Sequence, residues 1–141
     1  MPVAFAKDWS IDHVGLAVHD LDKAITFYLT IGGSRVILRE TLEAQGVELV
    51  FIDQGETKLE LMSPLRADST LGRFLDKRGP GLHHICYRVN DINSELERLS
   101  KLGVRLIDHQ PRPGAGGSLI AFIHPASCFG SLIELCEKSA G

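Results

Sequence analysis

The fold is decided by two stretches of similar sequence, Ile11-Asp12-His13-Val14-Gly15-Leu16-Ala17-Val18 and Leu82-His83-His84-Ile85-Cys86-Tyr87-Arg88-Val89. Each places a histidine early in an apolar strand, and each leads to an aspartate and a helix-like segment. A second pair follows, Lys58-Leu59-Glu60-Leu61-Met62 and Leu132-Ile133-Glu134-Leu135-Cys136. The spacing between the repeated histidines, 71 positions, is close to the 74 positions between the glutamates. The sequence therefore predicts an internal duplication.

Composition and charge narrow the class of protein. The chain has 141 residues, of which 44% are hydrophobic and 23% charged, as is usual for a globular domain. We expect a single domain over residues 1–141 with modules at 10–64 and 81–137. A net charge of −3 argues against nucleic acid as a partner, and no apolar run approaches the ~20 residues that cross a membrane. Three cysteines without CxxC spacing and an N-terminus unlike a signal peptide favour a cytoplasmic location.

The first module reads as β-α-β-β-β. We predict a strand over 10–18, a helix over Leu21–Ile31 with Asp20 as its N-cap, and then three strands. Those strands are predicted at Arg35–Glu43, Val47–Asp53 and Thr57–Met62.

The second module repeats this order after a linker that contains a short helix over Leu71–Lys77. It has a strand over Leu82–Val89, a helix over Ile92–Leu102 and three strands, predicted at Val104–Asp108, Ser118–His124 and Ser131–Cys136. Residues 110–117 are predicted to be an irregular loop, because they are rich in Pro and Gly. The predicted fold is α+β, with two tandem βαβββ modules.

The repeated histidines and glutamates are candidate metal ligands. A glutamate between two apolar strand residues is costly to bury unless a partner or a cation compensates its charge. One such residue alone is more often a core histidine or a solvated carboxylate, but the recurrence of both types in both modules favours a shared site. Imidazoles and carboxylates without thiolates fit Co²⁺, Mn²⁺, Ni²⁺, Zn²⁺ or Mg²⁺.

The motifs resemble those of the methylmalonyl-CoA epimerase family within the vicinal oxygen chelate superfamily. They are Gly81-Leu82-His83-His84-Ile85-Cys86, the Gly-rich segment Arg112–Gly117, and His124-Pro125-Ala126-Ser127 leading to Leu132-Ile133-Glu134-Leu135. The resemblance covers residues 10 to 137. It implies a curved mixed sheet that the two modules form around a divalent metal ion. It also implies that His13, Glu60, His84 and Glu134 hold this ion. His84 is chosen because it aligns with His13, and His83 is then expected to face away from the metal. Family members can carry Gln in place of Glu60.

The resemblance also implies the chemistry: interconversion of (R)- and (S)-methylmalonyl-CoA through a metal-stabilised enolate, with carboxylates transferring the proton. Glu48 and Glu134 are the candidate catalytic residues. The alignment at Glu48 is uncertain by one residue, and the competing register puts Leu49 there. The expected partner is a small-molecule acyl-CoA, and a homodimer is expected. The alternatives are a lactoylglutathione lyase (glyoxalase I) and a non-catalytic binding protein on the same scaffold.

Overall fold

A computed structural model of the chain describes residues 9–138, which contain eight strands and three α-helices. The strands are β1 (Ser10–Ala17), β2 (Val36–Leu42), β3 (Val47–Asp53), β4 (Lys58–Pro64), β5 (Gly81–Arg88), β6 (Arg112–Pro113), β7 (Leu119–Ile123) and β8 (Ile133–Glu137). The helices are α1 (Leu21–Ile31), α2 (Thr70–Arg78) and α3 (Ile92–Lys101). The predicted helices of both modules and the short helix between them are confirmed.

The chain divides into two compact units. One unit is His13–Ile85, and the other contains the residues before His13 and after Ile85. The boundaries fall inside β1 and β5, so each of these strands contributes residues to both units.

The His13–Ile85 unit is built on four strands in the order β2-β3-β4-β1. β1 runs parallel to β4, whereas β2–β3 and β3–β4 are antiparallel pairs. Helix α1 begins after Asp20, whose carboxylate accepts a hydrogen bond from the Lys23 N–H. The core under this helix consists of buried apolar residues, which are Leu16, Leu21, Val50, Ile52 and Leu61.

The other unit packs α3 against β7 and β8. Asp91 caps the helix by accepting a hydrogen bond from the Ser94 N–H. β7 pairs antiparallel with both β6 and β8. The core of this unit consists of buried apolar residues, which are Val89, Ile92, Leu96, Leu99, Leu106, Ala121, Ile123 and Leu135.

The prediction of a strand over Val104–Asp108 is wrong. Only Leu106 forms a bridge, to Ile123. After Leu106 the regular strand-to-strand hydrogen bonds stop. The N–H groups of Ile107 and Asp108 both donate to the Phe122 carbonyl. The Phe122 N–H donates in turn to the Asp108 side-chain carboxylate rather than to a backbone carbonyl. A two-residue strand, β6, lies instead within the predicted irregular loop.

None of the helices in residues 9–138 has the length and apolar character needed to span a lipid bilayer.

Candidate metal centre

Three of the predicted ligands lie in the His13–Ile85 unit. In the parallel pair β1–β4, Gly15 is opposite Glu60, and His13 is two residues before Gly15. Residues two apart on a strand share a face, so His13 lies on the Glu60 face of the sheet. The adjacent residue Leu61 belongs to the core under α1. The ligand face is therefore the face that α1 does not cover.

The donor atoms of these three residues converge. His13 Nε2 lies 3.1 Å from His84 Nε2. Glu60 Oε1 lies 3.2 Å from each of these two nitrogens. All three residues are buried, with exposed fractions of 4–5%. Histidine and glutamate side chains this deeply buried are not a solvated surface cluster, and they must be compensated by one another or by a bound cation.

The donor set fits a divalent cation. Zn²⁺ binds imidazole nitrogen and carboxylate oxygen at about 2.0–2.2 Å, so a single ion of this size could contact donors that lie 3.1–3.2 Å apart. Two imidazoles with a carboxylate suit the borderline and hard ions named above.

The charge on Glu60 also suits this role. Burial opposes ionisation of its carboxyl group, but the imidazoles of His13 and His84 beside it outweigh that effect and lower the pKa of Glu60. The carboxylate is thus ionised near neutral pH and available to a cation.

The packing around the imidazoles fixes their positions. A Cβ atom built on Gly15 would lie 2.2 Å from His84 Cε1, so the ring occupies space that any other residue would fill. Phe51 meets the His13 ring edge-on, with centroids 4.9 Å apart. Gly15 shares the ligand face with His13, and the lack of a side chain at Gly15 makes room for the ring of His84. The sequence did not predict the contact of Phe51 with His13. The contact follows from the β3–β4 register, which places Phe51 opposite Glu60.

His83 does not join the converging donors, as expected, but it contacts His84. Its Nδ1 lies 2.9 Å from His84 Nδ1. Its ring also meets Phe74 of α2 edge-on, with centroids 4.7 Å apart. Sequence analysis missed this contact, because alternation along a strand predicts that neighbouring side chains point apart.

Glu134, the fourth predicted ligand, belongs to the other unit. It lies on β8 opposite Phe122 of β7, and its exposed fraction is 6%. Its neighbour Leu135 is in the core beneath α3. Within this unit too, the glutamate therefore lies on the face that the helix does not cover.

The thiols near Glu134 have apolar character. Burial raises the pKa of the Cys86 thiol far above its ordinary value, and Cys136 and Glu134 raise it further. Cys86 and Cys136 form a buried cluster with Ile120. The Asp12 carboxylate, also in this unit, forms an ion pair with Lys138 at 3.3 Å. The Cys86 thiol is thus expected to stay protonated, and both buried thiols fill space as small apolar groups.

The structure does not bring Glu48 together with the metal ligands. On β3, Phe51 is opposite Glu60 and Glu48 is opposite Ser63, so Glu48 lies on the α1 face of the sheet. Its carboxylate accepts a hydrogen bond from Arg39 at 2.9 Å. Leu49, the residue of the competing register, lies on the ligand face but has no proton to exchange. This geometry does not support Glu48 as a base.

Comparison with known sequences shows the family. The sequence model of the Glyoxalase/Bleomycin resistance protein/Dioxygenase superfamily matches residues 12–122. The chain belongs to this superfamily. Among glyoxalase-superfamily relatives, YqjC of Bacillus subtilis (strain 168), described as uncharacterized, is 46% identical over 90% of this chain and 91% of its own. Human mitochondrial methylmalonyl-CoA epimerase is 41% identical over 89% of this chain and 72% of its own.

Solved structures of the superfamily confirm the predicted α+β glyoxalase fold. The methylmalonyl-CoA epimerase of Mycobacterium tuberculosis superimposes with a TM-score of 0.88 at 39% identity, covering 92% of this chain and 88% of that one. A methylmalonyl-CoA epimerase in complex with methylmalonyl-CoA and NH4+ has a TM-score of 0.86 at 39% identity, covering 92% and 94%. The predicted resemblance to epimerases is confirmed, and these relatives support an enzyme of the epimerase type.

Proposed function

We propose that this protein is a metal-dependent epimerase that interconverts (R)- and (S)-methylmalonyl-CoA. The observation that carries the proposal is the 41% identity to an enzyme of that name across 89% of the chain. The converging donors of His13, Glu60 and His84 supply an independent physical reason. These buried donors lie close enough together to hold the cation that the proposed chemistry requires.

The proposed metal ligands are His13, Glu60 and His84, with Glu134 as the fourth. Glu134 is supported by its burial and by its position in the second copy of the repeated strand motif. Two glutamates would balance the charge of a divalent ion. A bound cation of this kind supplies Lewis-acid stabilisation of the negative charge that develops on the thioester oxygen.

The chain's own groups must move a proton. The proton leaves the carbon between the thioester and the carboxylate of the substrate, and it must return to the opposite face for the configuration to invert. We propose Glu134 as the group that transfers it on one face, because a carboxylate can accept a proton from carbon and return it. The buried surroundings of Glu134 exclude competing water.

The test uses one epimer of methylmalonyl-CoA in D₂O with Co²⁺-loaded protein. We expect the epimer ratio to approach equilibrium and deuterium to appear at the α-carbon. Glu134→Gln should lower the rate about 10²–10⁴-fold, the range for loss of a general acid–base group. Glu97→Gln is the matched control, because Glu97 is exposed on α3, where its carboxylate pairs with Lys101.

Two results would contradict the proposal. Turnover of a glutathione hemithioacetal without epimerisation would identify a lactoylglutathione lyase instead. Binding of methylmalonyl-CoA without deuterium exchange would identify a binding protein. The homodimer is proposed separately, and a solution mass of 15.4 kDa rather than twice that value would refute it.

A further inference from the structure

We infer that His83 is a positioning residue for the metal site, because it accepts the Nδ1 proton of His84 and so leaves the Nε2 lone pair of His84 for the cation. The inference rests on the proposed metal site, and it assigns a role to a residue that is not among the ligands. It begins from the two Nδ1 atoms, which lie 2.9 Å apart.

Only one proton can lie between two imidazole nitrogens at this distance. One ring must therefore donate and the other must accept. A nitrogen that binds a metal carries no proton, so a neutral His84 that binds through Nε2 is protonated at Nδ1. His83 is then the acceptor, and its own proton lies on Nε2.

The choice of Nε2 as the metal-binding atom of His84 follows from direction. This nitrogen lies 3.1 Å from His13 Nε2 and 3.2 Å from Glu60 Oε1, whereas Nδ1 points to His83. The two nitrogens of one ring are thus divided between the donor cluster and His83. A group that accepts the second N–H of a ligating histidine fixes its tautomer and raises its basicity.

His83 is itself held in place. Its ring meets Phe74 of α2 edge-on at 4.7 Å, and the Arg78 guanidinium lies 5.7 Å from the centroid of Phe74. The His84 ring is also packed against Gly15, where a Cβ atom would lie 2.2 Å from its Cε1. Helix α2 therefore supports the ligand through His83, although no α2 residue is among the proposed ligands.

The experiment measures the affinity of the full chain for Co²⁺ by competition with a chromophoric chelator. His83→Leu keeps an apolar side chain against Phe74 but removes the acceptor, and we expect it to weaken Co²⁺ binding about 10–100-fold. His83→Asn retains an acceptor oxygen near the position of Nδ1, and its affinity should stay close to that of the unsubstituted protein.

Equal Co²⁺ affinity of His83→Leu and the unsubstituted protein would overturn the inference, as would an Asn variant that binds as weakly as the Leu variant. If the unsubstituted protein binds no Co²⁺, the metal site itself is refuted.

A second measurement needs no variant. Long-range ¹H–¹⁵N correlation spectra of the Zn²⁺-loaded protein report which nitrogen of each histidine carries the proton. We expect protonation of His84 at Nδ1 and of His83 at Nε2. Spectra that place the His83 proton on Nδ1 would overturn the inference even if His83→Leu fails to fold.

Discussion

Gly15 determines how closely the backbone of β1 approaches the His84 imidazole. The ring occupies the space of a side chain, with Cε1 only 2.2 Å from where a Cβ would be. His84 is 5% exposed and therefore cannot swing into solvent without opening the sheet. The smallest possible substitution at position 15 should displace a metal ligand.

We predict that Gly15→Ala weakens Co²⁺ binding and destabilises the protein by about 1–3 kcal/mol, the usual cost of overpacking. The measurements are chelator competition and urea unfolding of the metal-free protein. Ser10→Ala, at an exposed position of the same strand, is the control and should change neither. Unaltered Co²⁺ affinity in Gly15→Ala would mean that the ring can move aside.

Glu48 shows how one residue of register changes the role of a side chain. Its carboxylate binds Arg39, which also binds Asp22 of α1 at 2.8 Å. These hydrogen bonds raise the pKa of Arg39, and the bond to Asp22 has a larger effect than the bond to Glu48. Glu48 therefore belongs to a surface ion-pair network between β3, β2 and α1.

We predict that Glu48→Gln leaves the rate of epimerisation unchanged, because the carboxylate lies on the opposite face of the sheet from Glu60. The initial rate with a single epimer measures this, and the loss of rate in Glu134→Gln is the reference. A fall in rate comparable to that of Glu134→Gln would return Glu48 to the catalytic residues.

For single residues, the sequence predicted which side chains converge in the His13–Ile85 unit better than it predicted the position of Glu48. The choice of His84 over His83 needed only the alignment of the two repeats, and the structure places His84 with the other donors. The face of Glu48 depended on the strand register, which a one-residue shift inverts. The His83–His84 contact depended on ring rotation, which has no counterpart in a sequence pattern.

Among the elements, helix α3 illustrates how one side chain defines a helix boundary. The Asp91 carboxylate accepts the Ser94 N–H at 3.1 Å, and this hydrogen bond is the main reason that the pKa of Asp91 is lowered. The apolar side of the helix follows at once with Ile92, which is fully buried. Cap and core thus specify the same start.

We predict that the stability lost in Asp91→Ala depends on pH. Because the pKa of Asp91 is lower in the folded state, its contribution is present above the ordinary aspartate value of about 3.9 and is lost as pH falls through the folded-state pKa. Urea unfolding at pH 7 and at successively lower pH should show the difference between variant and unsubstituted protein shrinking. Asn93→Ala, in the same first turn, provides a control without a titrating side chain. A pH-independent difference would contradict this origin.

Prediction of the elements succeeded where caps and apolar periodicity agreed, as in α1 and α3. It failed at Val104–Asp108, whose apolar residues resemble a strand. There the Asp108 side chain accepts the hydrogen bond from Phe122 that a backbone carbonyl would otherwise accept. A polar side chain that replaces a ladder bond depends on tertiary position and cannot be inferred from alternation.

For the molecule as a whole, the proposed metal site links ligand binding to folding. A cation that binds only the folded chain stabilises it by about 2.7 kcal/mol at a free concentration of 100 Kd. The buried donors of His13, Glu60 and His84 are gathered only when their strands are paired, so the unfolded chain should bind the ion more weakly.

We predict that a chelator such as EDTA abolishes epimerisation and lowers the thermal unfolding midpoint, and that Co²⁺ restores both. Differential scanning calorimetry with and without Co²⁺ measures the shift. His13→Ala is the control, since its midpoint should no longer respond to the ion. An unchanged midpoint and full activity after exhaustive chelation would exclude a metal-dependent enzyme.

The alternation of β4 and β8 restricts where the length of this chain can change. In each strand a leucine of the core stands directly beside a buried glutamate, Leu61 beside Glu60 and Leu135 beside Glu134. Loss or gain of a single residue within either strand would move the leucine to the ligand face and the glutamate into the apolar core. The same change would bury a carboxylate among apolar side chains and remove a proposed metal ligand. Homologues of this protein should therefore vary in length between these strands and keep the strands themselves constant.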